Sequence, residues 1–164
     1  AGPDCWYAKN EAFDADFRKR FEDEHFAAAR RERDDWMATP EGALGLMILL
    51  DQFPRNAWRG TAHQFATDGL SRHFCKIAIA RDYPAHFEID LRQFLLMPLM
   101  HSEALADQDA LLPLCADMPK TLKFAHIHRD IIVRFGRFPH RNPELGRETT
   151  PQEQAFLDEG GFGG

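Results

Sequence analysis

The sequence predicts an all-α protein of six to seven stacked antiparallel helices, and three observations lead there. Apolar residues recur at spacings of three and four through most of the 164 positions. Proline and glycine punctuate those periodic stretches where helices should begin or end. The one alternating stretch, Phe87-Glu88-Ile89-Asp90-Leu91, is five residues long and has no second strand to pair with.

Phe13, Phe17 and Phe21 stand four residues apart, with acidic and basic residues between them, which predicts a first helix over 11–33. Thr39-Pro40-Glu41 reads as an N-cap, a proline at the first helical position and an acid in the first turn. The second helix that follows, through Ala43 to Leu50, is apolar on every side and therefore central; Pro54 is expected to end it. Gly42 and Gly45 cost helix propensity, about 1 kcal/mol each against alanine, which points to close approach by a neighbouring helix. Further helices are expected over 61–80, 91–100, 102–115 and 120–135, with Asp82-Tyr83-Pro84 as a break. Thr150-Pro151-Gln152-Glu153 is a capping box that opens a short last helix to Asp158. Length favours one domain, with its core over 11–158 and a frayed Gly-rich tail at 160–164.

Composition narrows the function classes. Hydrophobic residues at 44% and charged residues at 28% suit a globular chain, not a disordered or collagen-like one. The longest uncharged apolar run, Ala43 to Leu50, is far short of the ~20 residues that cross a bilayer, so no membrane partner is expected. Cys5, Cys75 and Cys115 are an odd count without CxxC spacing; they read as free thiols of a cytoplasmic protein, Cys75 and Cys115 as small buried hydrophobes. Net charge is −6, yet residues 120–148 alone carry +4. An acidic body with one basic segment argues against nucleic-acid binding and for a local anion site. Arginine outnumbers lysine 15 to 5, which favours bidentate contacts to carboxylate or phosphate.

Polar residues gather in three clusters. The first, Asp51-Gln52-Phe53-Pro54-Arg55-Asn56 with Arg59, closes the central apolar helix. It is read either as a capped helix end or as Arg55 and Arg59 facing an anion. The second is His101-Ser102-Glu103 with Asp107 and Gln108, where Ser102 suits an N-cap and Glu103 the helix dipole, leaving His101 unexplained. The third runs from His126 and His128 through Arg134, Arg137, His140, Arg141 and Asn142 to Arg147, with arginines interleaved with Phe and Pro. It reads as a lined anion pocket or as a structural arginine network. Phe53-Pro54-Arg55-Asn56 is echoed by Phe138-Pro139-His140-Arg141-Asn142, each after an apolar helix. No HExxH, Cys/His quartet, GxSxG, P-loop, GxGxxG or EF-hand pattern occurs, so neither a metal nor a cofactor is assigned.

Taken together, LLDQFPRNxxRGT, FATD, PLMHSE, the run from His128 to Asn142 with Leu145-Gly146-Arg147, and the terminal TPxExxFL resemble the bacterial domain-of-unknown-function family numbered 924. The resemblance spans 13–162 and implies a tetratricopeptide-like right-handed array of stacked helices; it brings no reaction. Of the polar residues in the three clusters, all but Asp107 and His126 belong to the family pattern that the resemblance implies.

The leading reading is a pocket for a small anionic molecule. Asp51, Arg55, Asn56, Arg59, His101, Gln108, Arg134, Arg137, Arg141, Asn142 and Arg147 would line it, and His128 or His140 would serve as general acid or base beside Glu103. The alternative is a peptide-interaction module, in which the Arg and Asn residues grip an acidic peptide or act as scaffold.

Overall fold

The structure, a computed structural model, describes residues 11–162, Glu11 through its backbone alone; Cys5, Gly163 and Gly164 lie outside the described residues. Every regular element among those residues is helical: α1 (Glu11–Ala29), α2 (Pro40–Met47), α3 (Phe53–Ala57), α4 (Asp68–Ala80), α5 (Ile89–Met100), α6 (Leu105–Leu114), α7 (Pro119–Phe135) and α8 (Pro151–Asp158). A π turn, Ile48–Gln52, joins α2 to α3 without a break, so the described path counts as seven helices. No described helix is long and apolar enough to cross a membrane. The chain divides into two compact units: residues 1–59 with 63–98, and residues 60–62 with 99–164.

In the first unit, α1 lays its phenylalanines inward. Phe13 stacks on Phe17 at 5.5 Å between centroids, and Phe17 meets Phe53 edge-on at 5.2 Å. The helix stops at Ala29, short of the expected 33, because Arg31 takes a left-handed φ of 67°. The chain then turns through a 3₁₀ segment, Asp34–Ala38, that carries Trp36 back onto α2. The partner that Gly42 and Gly45 admit is therefore this short turn: a Cβ on Gly42 would overlap the Trp36 carbonyl, and one on Gly45 would lie 3.3 Å from its indole. Thr39 caps α2 as expected, accepting from the Gly42 N–H at 3.1 Å.

Pro54 does not end this helix. The Phe53 N–H reaches back five residues to the Ile48 carbonyl, and the chain continues into α3. Pro54 has no N–H to give, so carbonyls upstream of it lose their helical partner. Side chains replace it: His25 Nδ1 donates to Leu49 O at 2.8 Å and Thr67 Oγ1 to Leu50 O at 2.5 Å. Arg55 Nη1 donates to Asp51 O at 2.6 Å. Because the Thr67 hydroxyl is used here, it does not cap the next helix. That helix, α4, begins at Asp68, later than the expected 61, after a 3₁₀ turn at Ala62–Phe65. Asp82, at φ 59°, makes the expected break after it. Cys75 is fully buried, as is Cys115 of the second unit, as small hydrophobes should be.

The second unit packs α6 against α7. Ile131, Ile132 and Phe138 form a buried cluster, onto which Ile127, Phe135, Phe156 and Phe162 pack. Gly136, at φ 70°, stops α7 with its N–H on Ile132 O. The Thr150–Glu153 capping box is formed at the start of α8. The expected N-cap at Ser102 is not: α6 starts at Leu105, and Ser102 Oγ instead donates to Asp107 Oδ2 at 2.6 Å. After α8 the chain folds back as far as Phe162, whose ring lies 4.6 Å from that of His128; the rest of the Gly-rich tail lies outside the described residues.

Candidate functional site

The first polar cluster belongs to the first unit, and its cations are taken by carboxylates. Arg55 forks onto Asp68 at 2.9 and 3.0 Å and lies 3.3 Å from the fully buried Asp51 carboxylate. Of the two readings of this motif, a helix-end group or an anion ligand, the geometry is that of the first: the guanidinium is an internal counter-ion that also closes the π turn. Arg59 reaches Asp14 at 3.2 Å, and Asn56 lies within α3 rather than capping it.

The second and third clusters come together in the second unit, largely around the end of α5. The helix ends at Met100, and the carbonyls of its last turn and just beyond it need donors. Buried Gln108 gives its Nε2 to Met100 O at 2.8 Å and Ser102 O at 2.7 Å, and Arg141 Nη2 donates to His101 O at 3.1 Å. Gln108 and Arg141 thus act on backbone at this helix end as Arg55 does at the other.

Glu103, expected beside a catalytic histidine, holds the peptide of Phe138. It accepts the Phe138 N–H at 2.8 Å and both Arg147 nitrogens at 2.8 and 3.0 Å, while Arg147 also donates to Phe138 O. Burial alone would raise this carboxyl, but Arg147 and the Phe138 N–H outweigh it and hold it below the ordinary carboxylate value. Arg137 pairs with Glu153 at 2.6 and 2.8 Å, and Asn142 Nδ2 lies 3.4 Å from the same carboxylate. The Arg137 contact, first among the causes, pushes Glu153 down to about 2. Glu153 was legible only as a helix cap. Arg134 is exposed, over the rings of Phe135 and Phe156 at 4.8 and 5.3 Å. It borders an open depression of about 520 Å³ with Arg137, Gln152 and Glu153.

Beside these pairs, His101, His128 and His140 gather into a ring cluster with Phe138 and Phe162. His128 is 5% exposed and its Nδ1 donates to Phe124 O at 2.8 Å, which puts the lone pair on Nε2. The His101 ring lies 6.4 Å away, and His140 shares with His128 both Phe138 and Phe162 as ring neighbours. His140 Nδ1 is buried without a hydrogen-bond partner. Arg141, 6% exposed, sits over the Phe138 ring at 4.6 Å. Burial is the main cause that pushes both His128 and His140 down to about 4, helped by His101 at the first and Arg141 at the second. Both are neutral at pH 7, as a base requires, but their proton affinity is too low for a base poised near neutrality. Among the described residues, no three His, Cys, Asp or Glu side chains group as metal ligands.

Phe162 was missed as a site neighbour; a single aromatic within a glycine run was the signal. No curated protein matches the chain. A solved structure of a protein of unknown function from Agrobacterium tumefaciens is 52% identical, with a TM-score of 0.94 over 96% of this chain and 90% of that one. The model of a bacterial protein family of unknown function, DUF924, matches residues 1–161. The all-helical architecture, the paired motifs and this match over nearly the whole length give one conclusion: the chain belongs to the DUF924 family.

Proposed function

We propose that the second unit binds a small anionic molecule, a carboxylate or phosphate, at the histidine cluster. The observation that supports this is the gathering of His101, His128 and His140 with Arg141, with two of the imidazoles kept neutral. Arg141 supplies the positive charge. His128 Nε2 and His140 Nδ1 accept hydrogen bonds from a hydroxyl or N–H on the ligand. Their low basicity favours binding over proton-transfer catalysis, so His128 and His140 are ligand contacts first and Glu103 positions the Phe138 peptide.

A thermal-shift series with inorganic phosphate, acetate and citrate tests this on the wild type, Arg141→Gln and His140→Phe. An anion at 100 times its dissociation constant adds about 2.7 kcal/mol, or roughly 5–11 °C. The reading predicts a shift with at least one of the three that both variants lose. No shift with any of them refutes it. A second reading has its own observation: Arg134, exposed beside the open depression, suits an acidic peptide. Binding of a poly-glutamate peptide lost in Arg134→Ala would favour that reading.

A further inference from the structure

The last helix ends in a stop built from two glycines. Gly160, at φ 81°, donates to Leu157 O at 3.1 Å, and Gly161 donates to Phe156 O at 2.9 Å, the paired bonds of a Schellman motif. A Cβ on Gly161 would lie 2.5 Å from Phe156 O, so only glycine allows this path. The turn brings Phe162 back over the histidine cluster, with its ring 4.6 Å from His128 and 5.5 Å from His140. The ring is half-buried and joins the cluster of Ile131, Ile132 and Phe138. Among the described residues, Phe162 is held by these apolar and ring contacts. That is the kind of attachment that opens locally at low cost.

We propose that the Phe162 ring is an exchangeable cover of the histidine cluster, standing where the planar apolar part of an aromatic carboxylate binds. The inference rests on the anion-site reading above and names the ligand class. The ligand's ring replaces Phe162 against His128 and Phe138, and its carboxylate meets Arg141. The two neutral imidazoles suit this arrangement, since an uncharged ring face tolerates an apolar neighbour.

The test is diethyl pyrocarbonate labelling read by peptide mass spectrometry on the full chain. Exposed His126 is the fast reference, and His25, buried in the first unit, is the control for folding. Wild type, Phe162→Ala and Gly161→Ala are compared without ligand and with excess phenylacetate or acetate. The second variant keeps the ring but forbids the turn. Labelling of His128 and His140 should rise about tenfold in both variants while that of His25 stays slow. Phenylacetate should restore protection in the variants at lower concentration than in the wild type, and acetate should give none. Unchanged labelling at His128 and His140, or a parallel rise at His25, overturns the proposal. Equal protection by acetate and phenylacetate removes the aromatic assignment but leaves the anion site. No protection by either overturns this proposal, and the anion site is then decided by the phosphate and citrate measurements above.

Discussion

Replacing Arg55 with alanine gives the sharpest test of what the FPRN motif does. The side chain is 16% exposed and its partners Asp51 and Asp68 are 1% and 20% exposed. Its loss removes a two-point bridge to Asp68, the counter-ion of Asp51 and the donor to Asp51 O. Asp51 would keep the Gln52 Nε2 donor, at 2.5 Å. Removing one member of a buried pair costs about 3–5 kcal/mol, chiefly because a charge stays buried uncompensated. For a chain of this size that lowers the midpoint by roughly 6–20 °C. Tryptophan fluorescence during urea unfolding is the suitable assay, because Trp36 and Trp58 belong to the first unit. Combining Arg55→Met with Asp51→Asn and Asp68→Asn removes the stranded charges and should recover at least half the loss. If Arg55→Ala costs under about 1 kcal/mol, the bridge does not hold the π turn and the argument fails.

The same geometry sets three other outcomes. Gly42→Ala should destabilise by about 1–3 kcal/mol through overlap with Trp36, whereas Gly69→Ala, with open space around it in α4, should stabilise by about 0.5–1 kcal/mol; urea midpoints decide both. Gln108→Leu should cost about 1–3 kcal/mol by leaving the Met100 and Ser102 carbonyls without their donor, read by circular dichroism because the second unit has neither Trp nor Tyr. On acidification the unfolded chain takes up histidine protons near 6.5, while His128 and His140 in the folded chain resist until about 4. Stability from this source is therefore full above 6.5 and falls as the pH drops toward 4. Glu153 adds a second loss between its ordinary 4.5 and about 2. Midpoints measured from pH 7.5 to 3.5 should fall, with imidazole NMR titrations placing both histidines well below 6.5; ordinary titration of either would refute this.

Local signals in the sequence translated well where one residue settles the outcome. Thr39 and Thr150 each need only an N–H three positions on, and both caps form. The apolar stripe of α7 likewise needs only its own period. Pro54 misled because its donors come from elsewhere: His25 stands 24 positions before the carbonyl it serves and Thr67 stands 17 after its own. Charge misled for a related reason. The +4 of residues 120–148 reads as unbalanced because Glu103, Asp109 and Glu153, which pair with Arg147, Arg129 and Arg137, lie outside that stretch. His101, His128, His140 and Arg141 were legible as site candidates, but the tail ring laid over them was not, since a lone Phe among glycines has no period.

The π turn also determines which changes of length this chain tolerates. It holds one residue more than a regular α-helix would use to reach Phe53, so deleting a residue from 48–52 would restore ordinary backbone bonding there. Each residue also turns a helix by about 100°, and everything after the deletion would swing by that angle relative to α2. Phe53 would leave its edge-on contact with Phe17, and Arg55 would be carried away from Asp68. A shortening that relaxes the backbone would thus misalign the side chains, so the length of this stretch should be fixed more strictly than its sequence.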